Sequence, residues 1–122
     1  MQRREKELRK LLNESENKKL DLILKYFNLE WHEIEHKKGL KNYSKFYNDV
    51  DLCKHSVCVY LDYLGIAPID ITKAINYAGH IGTDHLRRWR RRALRHNTIK
   101  HLYFELLNLN YEKFLQGSKE FY

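Results

Sequence analysis

Proline occurs once in the 122 residues and glycine five times. An all-β sandwich or barrel uses more turn residues than that, so the composition points elsewhere. Cysteine occurs twice, too seldom for a disulfide scaffold. No run approaches the roughly 18 apolar residues of a membrane span, so no membrane partner is expected. The opening stretch MQRREKELRK has no apolar core behind its charges. It does not read as a secretory signal, and a cytoplasmic location is expected. There is no G-x-x-x-x-G-K phosphate loop, no G-x-G-x-x-G turn and no G-x-S-x-G elbow. The acidic residues are scattered, with no cluster to hold magnesium. No cofactor is expected, and the chain does not read as an enzyme.

Hydrophobic residues make up 43% and charged residues 32%, the balance of a folded domain rather than a disordered chain. The apolar spacing is helical. Residues 3–12 carry helix formers, a Glu5/Arg9 pair at i, i+4 and the stripe Leu8, Leu11, Leu12. Ser15 can cap a second helix, in which Leu20, Ile23, Leu24 and Phe27 share one face. Residues 29–37 predict a short helix, and residues 38–48 an aperiodic loop with aromatic anchors. Asp49 can cap a helix to Leu64, with Val57, Tyr60, Leu61 and Leu64 inward and Gly65 as terminator. Pro68 and Asp70 favour the next start, with Ile71, Ala74, Ile75 and Ala78 on its apolar face. The segment Gly79–Gly82 breaks it. Thr83 then caps a helix over 84–96. Asn97 or Thr98 opens another, carrying Ile99, Leu102, Tyr103 and Leu106, and a last one covers Tyr111 to Gln116, ended by Gly117. No strand and no internal repeat is evident. The expected fold class is all-α, one compact multi-helix domain over 1–122. It comprises an N-terminal helical extension (1–48), a three-helix unit (49–97) and C-terminal helices (98–122).

Charge is concentrated. Residues 85–104 hold Arg87, Arg88, Arg90, Arg91, Arg92, Arg95 and Lys100, and no Asp or Glu. The net charge is +7, and this window accounts for all of it. A neutral scaffold with one basic block suits a polyanion, most commonly a phosphate backbone. At 100° per residue, Leu86, Trp89 and Ala93 form an inward stripe, and Arg87, Arg91 and Arg95 form a row on the opposite side. Arg88 and Arg92 form the adjacent row, and Arg90 lies beside the core stripe near Leu94. Such a helix fits the DNA major groove, about 12 Å wide, where Arg can bond guanine or neutralise phosphates.

The stretch from Ile66 to Asn97 resembles the helix–turn–helix superfamily. Ala74 stands in the first helix, Gly79 at its end, and Thr83-Asp84-His85-Leu86-Arg87-Arg88-Trp89-Arg90 opens the second. The run Leu86-Arg87-Arg88-Trp89-Arg90 looks like the recognition helix of transposase-type and phage regulatory modules. The resemblance implies Thr72 and Lys73 near phosphates and Thr83 to Arg91 in the groove, His85 among them, with the turn Gly79-His80-Ile81-Gly82 about one residue longer than usual. His80 reads as a solvent-facing turn residue and Ile81 as an insertion into the core.

A second motif competes. His32-Glu33-Ile34-Glu35-His36 matches H-E-x-x-H, in which a helix would place both histidines one above the other for zinc and Glu33 could polarise a zinc-bound water. It resembles the zinc-peptidase signature, but Asn42 stands where one group of such enzymes has its third histidine, and Lys37 and Lys38 follow. The plainer reading is an exposed polar helix with Leu29, Trp31 and Ile34 tucked in. Cys53, His55 and Cys58 match no zinc spacing. The two cysteines read as free, buried thiols.

The expectation is therefore a protein that binds double-stranded DNA through the helix 84–96, with no metal. It would serve as a regulator or as an accessory factor in replication, packaging or transposition. Thr72, Lys73, Thr83, His85, Arg87, Arg88, Arg91, Arg92, Arg95 and Lys100 are the candidate contacts. One short helix reads few base pairs, which calls for a homodimer. The same basic face would also suit an RNA-binding module or an inhibitor docking an acidic protein surface.

Overall fold

The computed structural model of the chain describes residues 2–35 and 45–119. Among these residues the fold is all-helical, without a strand. Helix α1 (Arg3–Arg9) is joined to α2 (Glu14–Tyr26) by one arginine. Arg9 pairs with Glu5 one turn back at 2.9 Å and with Asp21 of α2 at 2.7 Å. Asn13, rather than Ser15, caps α2. Its side chain accepts the Glu16 N–H at 2.8 Å, and Glu16 accepts the Asn13 N–H at 2.9 Å. This reciprocal pair satisfies two helix-end donors at once, which a serine inside the first turn cannot do. Leu20, Ile23 and Leu24 are buried as their spacing predicts.

Helix α3 (Trp31–Ile34) is a single turn that buries both of its end residues. The Trp31 Nε1–H donates to the Ala74 carbonyl at 3.1 Å. Helix α4 (Lys45–Tyr63) begins at least four residues before the expected Asp49 cap. The rest of the expected loop, residues 38–44, lies outside the described residues. The expected stripe also understates this helix. Cys53, Val57, Cys58, Val59, Tyr60 and Leu61 are all buried, and α2, α3, α5, α6 and α8 pack around it. A helix that is apolar on several faces is one enclosed by neighbours. Gly65, at φ 90°, terminates α4 in the left-handed conformation, as expected.

Helix α5 (Pro68–Ala74) starts with proline in its first turn and packs on α1 and α4. It stops earlier than the sequence suggested. Asn76 takes φ 53°, so Ala78 lies beyond the helix and is exposed. The connection to the next helix is therefore residues 75–82, not only Gly79–Gly82. Ile81 from this connection is fully buried, as expected.

Helix α6 (Thr83–Arg95) packs against α4, α7 and α8. Gly82, not Thr83, is its cap residue. Helix α7 (Asn97–Lys100) runs on into a π-helical turn, His101–Leu106. This turn overturns one expected core position. The Leu107 N–H bonds the Leu102 carbonyl five residues back. The wider turn rotates the inward face by one residue, so Leu107 is buried while Leu106 is exposed. Helix α8 (Tyr111–Lys119) passes through Gly117 instead of ending there. Its start is held by Asn110, whose side chain accepts the Lys113 N–H at 2.9 Å. One apolar cluster runs from Leu8 to Phe114, so the N-terminal helices share the core that positions α6.

Candidate nucleic-acid interface

The inward face of α6 consists of Leu86, Arg90 and Ala93, not Leu86, Trp89 and Ala93. Arg90 is only 3% exposed. Its guanidinium donates to the Phe114 carbonyl at 2.8 Å, pairs with Asp62 of α4, and lies 4.7 Å from the Phe114 ring centre. A buried guanidinium needs such a set of acceptors to offset its lost hydration. One arginine of the basic block thus bolts α6 to α4 and α8.

Trp89 is displaced to the flank, half-buried. Its indole stacks on the His55 imidazole of α4, centroids 4.1 Å apart and planes 12° apart. Arg92 of α6 closes this contact from outside. Its guanidinium donates to His55 Nδ1 at 3.2 Å and lies 3.9 Å from Asp51. Arg92 has no acceptor, so His55 Nδ1 carries no proton, and Nε2 faces Asp51 at 3.6 Å. Burial pushes the His55 pKa down to about 4, opposed by Asp51 and aided by Arg92, Lys54 and His85. His55 and Asp51 are missed by sequence reasoning because the pattern within α4 does not say which helix covers it. Arg90 was equally hidden, since 86, 89 and 93 span the same arc of about 60° as 86, 90 and 93, and the apolar residue is the natural choice for the core.

Leu94 is partly buried against the core, and the remaining polar residues of α6 form the outer face. Arg88 and Arg95 are seven residues apart, within about 20° of one another. Both are exposed, and among the described residues neither makes an ion pair. Arg91 and Arg87 are half-buried beside them, and Arg87 lies 3.4 Å from Asp84. Thr83 is exposed at the start of the helix, and Lys100 is exposed on α7. His85 is half-buried and accepts the Gly82 N–H on Nδ1 at 3.2 Å. Its ring lies edge-on to Tyr77 at 6.0 Å and tilted to Trp89 at 5.6 Å. His80 is exposed on the connection.

The two α5 candidates sit differently. The Thr72 hydroxyl donates to the Pro68 carbonyl at 2.7 Å and accepts the Ile81 N–H at 3.1 Å. It therefore pins the connection that delivers Ile81 to the core. Lys73 is exposed in a cleft between α5 and α1, with Arg3, Arg4, Glu7 and Asp70.

The H-E-x-x-H segment does not form the helix its chemistry needs. Helix α3 ends at Ile34, and Glu35 is extended at φ −63°, ψ 140°. The Glu33 carboxylate accepts the Glu30 N–H at 2.7 Å, capping α3. His32 is exposed, and His36 lies outside the described residues. Among the described residues no group of three His, Cys, Asp or Glu side chains is placed to hold a metal ion. Cys53 and Cys58 are buried and free. Burial raises the Cys53 thiol to about 12, with the Glu33 carboxylate adding to the effect. No helix among the described residues is long and apolar enough to cross a membrane. Comparison of the chain with protein-family models, with curated protein sequences and with solved structures gives no match.

Proposed function

We propose that this protein binds double-stranded DNA by laying the outer face of α6 in the major groove. The observation that carries the reading is the division of labour along α6. The helix is fixed from behind by Arg90 and by the Trp89–His55 stack, while Arg88 and Arg95 stand exposed without an acidic partner among the described residues. A rigid helix with uncompensated guanidinium groups is suited to phosphates and to acceptor-rich base edges. Arg88 and His85 lead into the groove. Arg92, Arg95 and Lys100 serve the backbone, and α5 with the 75–82 connection supplies the preceding part of a helix–turn–helix. A helix of 13 residues reads about three or four base pairs, so sequence-specific binding needs a second copy.

The test is retention of fragmented duplex DNA at about 150 mM salt with structured RNA as competitor. Retained duplex that resists the RNA supports the reading. Displacement by RNA makes the protein an RNA binder using the same arginines, and retention of neither nucleic acid overturns the proposal.

A further inference from the structure

The leading edge of α6 carries one side chain whose hydrogen-bonding role is fixed by the fold. His85 Nδ1 accepts the Gly82 N–H. A ring nitrogen that accepts cannot carry the proton, so in the neutral ring the proton resides on Nε2. Tyr77 and Trp89, which also meet each other, pack against the ring, and Trp89 is itself held by His55. Nε2 lies on the opposite edge of the ring from Gly82. It makes no hydrogen bond among the described residues, and it is not among the buried polar atoms left without a partner. It therefore meets solvent as a donor with a set direction.

Its neighbour on the outer face, three residues on, is Arg88, exposed and bearing only donors. The nearby acceptor, the Asp84 carboxylate, is 3.4 Å from the Arg87 guanidinium. The edge that would lead into a groove thus offers one oriented donor, the His85 Nε2–H, with the donors of Arg88 beside it. Among the bases, guanine alone presents two acceptors and no donor on its own major-groove edge, N7 and O6. Adenine pairs its N7 with an amino donor, and cytosine presents a donor.

We infer that His85 and Arg88 together read guanine: the His85 Nε2–H donates to N7, which selects a purine, and Arg88 donates to the adjacent O6, where adenine carries an amino donor. The inference rests on the proposed binding of duplex DNA by α6 and adds what that face reads.

The experiment begins by selecting duplexes from a randomised pool. Each guanine of the selected duplex is then replaced in turn by 7-deazaguanine, which has C–H in place of N7. At one position the wild-type protein should lose about fivefold to tenfold in affinity, the scale of one hydrogen bond to a neutral acceptor. His85→Glu should show no difference between the two duplexes at that position while keeping its sensitivity elsewhere. Glutamate is chosen because its carboxylate can accept the Gly82 N–H from the same helix position, as in a capping box. The ratio between the two duplexes cancels the repulsion that its charge adds. If His85→Glu fails to fold, His85→Ala removes the ring donor without adding charge. Full affinity after every N7 is removed overturns the inference and leaves DNA binding standing, as does a sensitive set unchanged in the variant. Failure of the wild-type protein to retain any duplex overturns both.

Discussion

The Arg90 guanidinium of α6 pairs with the Asp62 carboxylate of α4 and donates to the Phe114 carbonyl of α8. Three helices thus meet at one side chain that is almost wholly buried, and two residues away on the same helix Arg88 is exposed. Removing one partner of such a pair leaves the other charge with little water and no counterion. Asp62 retains 21% side-chain exposure, which softens the loss. Arg90→Met should therefore destabilise the protein by about 3 kcal/mol. Urea unfolding would show this as a lower midpoint with an unchanged slope. A midpoint equal to that of the wild type would mean that Arg90 is not a structural tie.

The His55–Trp89 stack makes stability depend on pH in a defined window. In the unfolded chain His55 titrates near its ordinary value of 6.5, and in the fold burial holds it at about 4. Between these values the unfolded state binds a proton that the folded state refuses. The contribution is fully present above pH 6.5 and is lost as pH falls towards 4, to an upper limit of about 3 kcal/mol. Protonation also removes the acceptor that Arg92 uses. The expected result is a falling unfolding midpoint from pH 6.5 to pH 4.5, with a slope that is reduced in His55→Phe. An undiminished slope in His55→Phe would show that other groups are responsible.

The helical pattern was legible wherever neighbouring elements bury a simple stripe. Leu20, Ile23 and Leu24 on α2, Pro68 at the start of α5 and Gly65 after α4 all stand where local chemistry puts them. The departures come from long-range contacts. Trp89 is the larger apolar side chain, so the sequence favours it as the inward residue. Arg90 takes that place because Asp62 and Phe114, 28 and 24 residues away, receive its charge. Leu106 has the right spacing for an α-helix and is displaced only because the helix widens at His101–Leu106. The arginine cluster of the candidate site is plain in the sequence. The parts that orient it, His55 and Asp51 on α4, belong to another helix and leave no mark within residues 84–96.

The widened turn has its own consequence for stability. Leu107 is 1% exposed and Leu106 42%. Truncating a buried leucine removes transfer free energy and leaves a cavity, whereas an exposed one has little to lose. Leu107→Ala should cost about 3 kcal/mol and Leu106→Ala less than about 1 kcal/mol, measured by thermal or urea unfolding. Regular α-helical packing would reverse the order of the two variants, so the comparison tests the π-helical register directly.

Arg88 and Arg95 would separate the proposed DNA binding from folding. Both are exposed and unpaired among the described residues, so replacing either by alanine should change stability by less than about 0.5 kcal/mol. Their effect on DNA should differ in kind. A guanidinium on a phosphate releases about one counterion, so Arg95→Ala should lower the slope of log affinity against log salt by about 0.9 and weaken all sequences alike. A guanidinium on a base edge changes the preference among sequences, which is the expected result for Arg88→Ala. Arg92→Ala is expected to do something else again, lowering affinity and also loosening the His55 contact that Arg92 closes. Equal affinity of Arg88→Ala, Arg95→Ala and the wild type at every salt concentration would remove α6 from the interface altogether.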